Sequence, residues 1–61
     1  MGEHTSHYVF DEGVYQTLLA GERNGDYMAI SVERTGKIKK VTKEEHEDGT
    51  PYIKVVFEID G

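Results

Sequence analysis

Tyr52-Ile53-Lys54-Val55-Val56-Phe57-Glu58-Ile59 is the longest run of β-branched and aromatic residues in the chain. It alternates: Ile53, Val55, Phe57 and Ile59 project to one side of an extended backbone, and Tyr52, Lys54, Val56 and Glu58 to the other. A strand with one wholly apolar face needs strands beside it and a cover over that face. The rest of the chain is read for what supplies them.

Immediately upstream, Asp48-Gly49-Thr50 suits a three-residue hairpin loop with the glycine in a left-handed position, and Pro51 suits the first position of a strand. Lys37 to about His46 is the incoming strand. This loop sets Val41 opposite Phe57, Val55 opposite Lys43, Lys40 opposite Glu58 and Glu44 opposite Lys54. The last two are favourable charge pairs. Further upstream, Tyr27 to Arg34 alternates again, and Thr35-Gly36 reads as a two-residue turn, setting Ile30 opposite Val41 and Val32 opposite Lys39. Together the two turns align Met28, Ile30, Val32, Val41, Ile53, Val55, Phe57 and Ile59 on one face.

Between residues 12 and 22 the period changes. Val14, Tyr15, Leu18 and Leu19 fall on one helical stripe, Asp11 can cap its start, and Gly21 or Gly25 can end it. The competing reading is a strand running into an Asn24-Gly25 hairpin turn. Tyr8-Val9-Phe10 is a short apolar strand, and residues 1–6 read as a flexible lead-in. The expected fold class is α+β: one helix packed on a small antiparallel sheet, in the order β-α-β-β-β. A small all-β barrel is the alternative.

Sixty-one residues make one domain, 1–61. A chain this short buries only ~60 % of its unfolded surface, so its core is small. There is no cysteine, which excludes disulfides and thiolate metal sites and fits a reducing, cytoplasmic setting. Twelve acidic against seven basic residues give a net charge of −5, which disfavours nucleic-acid binding by overall attraction. No apolar run approaches the ~20 residues that span a bilayer, and the polar start lacks a signal-peptide core. Gly2 with Ser6 matches a myristoylation start only superficially, and no membrane partner is expected.

Four surface features are candidate sites. Arg34, Lys37, Lys39, Lys40 and Lys43 hold five of the seven cations in ten residues, the types that contact phosphate, with Tyr27 and Tyr52 available to stack on bases. Alternation, however, sends Lys40 to the opposite face from Lys37, Lys39 and Lys43. Glu44-Glu45-His46-Glu47-Asp48 is acidic but lacks the oxygen spacing of a calcium loop, and reads as a charged hairpin tip. His4 and His7, beside Glu3, have a helical metal-ligand spacing but too few partners for a site. Finally, the second sheet face carries Tyr27, Ile38, Tyr52 and Val56, a semi-apolar platform for a protein partner or a second copy. An unpaired edge on 52–59 would also accept another chain.

No P-loop spacing surrounds Gly21 to Gly25, and Ser6, Ser31 and the histidines form no nucleophile–base pattern. The expectation is a non-enzymatic interaction or regulatory module, without cofactor or metal. It would act through a sheet face or edge on an unknown protein partner or as a homodimer. A compact acidic regulator, of the size class mobile elements encode, fits the same composition. Nucleic-acid binding through residues 34–43 is the alternative.

Overall fold

The computed structural model describes residues 2–59. It contains β1 (Gly2–Val9), α1 (Glu12–Asn24), β2 (Tyr27–Ala29), β3 (Thr35–Glu45) and β4 (Pro51–Ile59). The strands form one curled antiparallel sheet in the order β1-β4-β3-β2. The α+β expectation holds, with the barrel alternative surviving only as curvature. Since β1 and β2 are the two edges, α1 crosses the sheet from one side to the other. It covers the face that carries Ile53, Val55 and Phe57, all fully buried.

α1 begins where Asp11 accepts the Val14 backbone N–H at 3.1 Å, and Glu12 sits at its positive end. It ends at Gly25, whose φ of 72° favours glycine, with Asp26 N–H closing onto the Gly21 carbonyl at 2.9 Å. Asn24-Gly25 is therefore a helix stop and not a hairpin turn. Of the expected stripe, Leu18 is buried, Tyr15 and Leu19 pack on the core, and Val14 turns outward. Asp11→Ala should cost about 1 kcal/mol, read as a lower urea midpoint, and Asp11→Ser should restore most of it.

The core is Leu18, Ile38, Val41, Ile53, Val55 and Phe57, flanked by Tyr8, Phe10, Tyr15, Leu19, Met28 and Ile30. Ile38 overturns one expectation. Strict alternation puts it on the outer face with Val56, yet it is 3 % exposed. A bulge is the reason: Ile38 pairs with Phe57 and Lys40 with Val56, leaving Lys39 without a partner on β4. One extra residue lets both Ile38 and Val41 face inward. The bulge also leaves an outward Val41 N–H, which the Glu22 carboxylate of α1 accepts.

Both hairpins depart from the expected registers. β2 ends at Ala29, and the turn spans Ile30–Arg34, closed by Ile30 N–H to the Arg34 carbonyl at 2.9 Å. Ile30 and Val32 therefore pair with neither Val41 nor Lys39, and Val32 stands fully exposed at the tip. Gly36 lies in β3 because of space: a Cβ there would sit 2.6 Å from Ile30 Cδ1 and 2.8 Å from Phe57 Cβ.

The second loop runs from His46 to Thr50, with His46 N–H on the Thr50 carbonyl at 2.9 Å and Gly49 at φ 89°. It shifts the register by two, so Val41 faces Val55, Lys43 faces Ile53 and Thr42 faces Lys54. A shift of two preserves the faces, which is why Ile53, Val55 and Val41 still meet. The expected pairs Lys40–Glu58 and Glu44–Lys54 do not form; Glu58 instead lies opposite Lys37.

The lead-in is also corrected. From Gly2 onward, the residues read as flexible form strand with Tyr8, paired without interruption from Gly2–Ile59 to Val9–Tyr52. Their polarity reflects an edge strand with an exposed face. β4 is consequently the second strand in and has no free edge.

Candidate functional site

α1 carries Gly13, Thr17 and Gly21 four residues apart, a strip of small side chains along one side of the helix. Small residues there leave a gap between α1 and β2. The gap is an open groove of about 660 Å³ lined by Asp11, Gly13, Val14, Thr17, Leu18, Gly21, Asp26, Tyr27, Met28 and Ile38. Leu18 and Ile38 form its buried floor, while Val14 is 44 % and Tyr27 59 % exposed. Among the described residues, its only charged lining residues are Asp11 and Asp26. Asp11 is committed in part to capping α1; no partner of the Asp26 carboxylate occurs among the described residues. The arrangement is an apolar trough with two acids on its rim.

Of the four residues expected to form a partner platform, Tyr27, Tyr52 and Val56 share the outer sheet face, Tyr27 opposite Lys37 at the β2 edge, where it also borders the groove. Ile38 alone leaves the platform, turned inward by the bulge to the groove floor. Tyr52 and Val56 lie on the sheet face away from α1. There Tyr52 is flanked by His46, stacked at 4.2 Å between ring centroids, and by His7 at 4.8 Å. This row of rings joins three parts of the fold that are far apart in sequence. It splits the His4–His7 pair, because residues three apart on a strand face opposite ways: His4 instead lies 6.3 Å from the Phe57 ring. Among the described residues no three metal-ligating side chains cluster.

The five cations do not share one surface, and their split is not the one strict alternation gives: the bulge puts Lys37 and Lys40 together on the outer face and turns Lys43 inward. Arg34 is in the β2–β3 turn and Lys37 lies opposite Glu58. Lys39 Nζ bonds Glu3 Oε2 at 2.5 Å, reaching over β4 to β1. Lys40 lies opposite Val56, and the Lys43 amine sits 4.6 Å over the Phe10 ring on the helix-covered face. The hydrogen bond to Glu3, then its charge, raises the Lys39 amine above its ordinary value. At the acidic tip, the Thr50 N–H bonded to Asp48 at 2.9 Å holds that carboxyl below the usual range. Asp48 therefore favours the folded loop above its unfolded titration point, and this contribution fades as pH falls through the lowered folded value.

The groove's signal in the sequence is small side chains, not large ones. The Gly13, Thr17, Gly21 spacing carries it, beside an apolar stripe that is the stronger pattern. In class, this is a small α+β domain with an open apolar groove between its helix and one sheet edge. Compared with known proteins, the chain matches no family model, no curated protein and no solved structure. No described helix is long and apolar enough to cross a membrane.

Proposed function

We propose that the protein is a non-catalytic binding module whose α1–β2 groove receives an apolar side chain from a basic segment of another polypeptide. The observation that carries this reading is the trough itself: an apolar floor of Leu18 and Ile38, an exposed Val14 wall, and rim charges that are both carboxylates. An anchor in a hydrophobic pocket supplies affinity, and complementary charge selects the partner. The net charge of −5 favours the same partner. A cytoplasmic setting and a regulatory role belong to this proposal.

The test is fluorescence anisotropy with labelled peptides of about twelve residues, each with one central Leu or Phe flanked by Lys/Arg or by Glu. The basic set should bind and the acidic set should not. Val14→Asp should weaken binding about tenfold or more, the scale of losing one buried anchor contact. It should leave the fold intact, since an acid in the first helical turn suits the dipole. Equal binding of both sets, or an unaffected Val14→Asp, would overturn the proposal. A labelled single-stranded oligonucleotide tests the lysine-strand alternative, whose affinity would fall steeply with salt.

A further inference from the structure

The two outer edges of the sheet are treated differently. On the β2 side, the edge strand is only three residues long. Beyond it, the outward N–H groups of β3 are taken: Ile38 by the Asp26 carbonyl at 2.8 Å and Val41 by Glu22. Lys43 follows, and an edge lysine resists pairing with another chain. On the β1 side none of these devices is present. β1 runs eight residues with no bulge, no proline and no lysine, and its register with β4 is unbroken. Its outward backbone groups have no partner among the described residues. Such an edge is a template for one more strand.

We propose that β1 pairs with β1 of a second copy, antiparallel, about a two-fold axis at Thr5. An axis perpendicular to the sheet reverses the strand but keeps each face on its own side, so odd residues must oppose odd and even oppose even. Two such registers overlap nearly the whole strand. Centred on Thr5, the pairing sets Glu3 opposite the partner's His7 twice and Thr5 opposite itself. It also sets His4 opposite the partner's Ser6 and Gly2 opposite the partner's Tyr8.

Thr–Thr and acid–imidazole pairs are favourable across strands, and no like charges meet. Glu3 Oε2 is held by Lys39, while Oε1 has no partner among the described residues. Centred on Ser6, Glu3 faces Val9 and the imidazole of His7 faces Thr5, so the charge match is lost. The Thr5 register is the self-complementary one. It joins two four-stranded sheets into a continuous eight-stranded sheet and leaves each groove, at the far edge, open. The inference does not rest on the groove's function, and either can fail alone.

One strand pair buries little area, so the dimer is weak and concentration-dependent, with a midpoint of about 10–100 µM. Sedimentation equilibrium across that range should show a monomer–dimer exchange. The chain has no cysteine, so a single introduced thiol reports the register. Opposed Cα atoms about 4.5–5.5 Å apart are within disulfide reach. Thr5→Cys should form a linked dimer rapidly under mild oxidation, and Ser6→Cys about tenfold more slowly, because its opposite residue is then His4.

Thr5→Lys, at an exposed position, should keep its circular dichroism spectrum and run as a monomer. A monomer mass for the natural chain at about 500 µM would overturn the proposal. So would a Thr5→Lys variant that still dimerises, or cross-linking faster at residue 6 than at residue 5.

Discussion

Phe57→Ala is expected to remove most of the folding free energy. Phe57 is fully buried, lies on the second strand of the sheet, and touches both neighbours: it pairs with Ile38 on one side and His4 on the other. Truncating a buried Phe costs about 3–5 kcal/mol. A domain of this length holds only about 3–9 kcal/mol in total, from ~0.05–0.15 kcal/mol per residue. Far-UV circular dichroism should show a urea transition moved to near zero denaturant, or no cooperative transition. Phe57→Leu should lose about 1.5 kcal/mol or less, because most of the volume remains. An alanine variant melting with the natural chain would mean that Phe57 is not the centre of the core.

The second large effect is expected from a one-residue deletion in β4. β4 carries no bulge, and Ile53 and Val55, both fully buried, share a face because Lys54 stands between them. Deleting Lys54 makes Ile53 and Val55 adjacent, so alternation turns one of them outward with the residues on its side of the cut. Losing the burial of either costs about 1.5–3 kcal/mol. The deletion should therefore abolish the cooperative urea transition. Deleting Lys39 removes the extra residue of the bulge instead: Ile38 and Val41 become two residues apart, and alternation alone keeps both inward. That variant should fold, losing only a surface ion pair with Glu3, where such pairs contribute little. If the two deletions melt alike, Lys39 is not the extra residue of the strand.

The elements that were legible in the sequence were those with a strong period. The alternation of Ile53, Val55 and Phe57 identified β4 and its buried face, and the four-residue spacing of Tyr15 and Leu19 with Leu18 identified α1. Glycine is ambiguous in a sequence, because one residue type answers several needs. Gly36 read as a turn is in fact a gap for Ile30, and Asn24-Gly25 offered a hairpin signal where the chain needed a helix stop. The bulge was illegible because Lys39-Lys40 carries no mark of it; only the demand that Ile38 be buried reveals it. Without the bulge, alternation puts Ile38 on the surface platform and hides the groove that Ile38 floors. The β1 edge carries no apolar signal because Gly2 to His7 is polar, as an edge strand with an exposed face is allowed to be.

The pairing of β1 with β4 joins Gly2 to Ile59, the two ends of the described chain. Contacts so remote along the backbone carry the largest loop-closure cost, whereas β2, β3 and β4 follow one another through short turns. Assembly should accordingly begin in that meander, with β1 arriving last. The order reverses on opening: backbone amides of residues 2–9 should trade their protons for deuterium well ahead of those in 51–59 that face β3. A nascent chain would thus carry its most adhesive strand loose until β4 has been made.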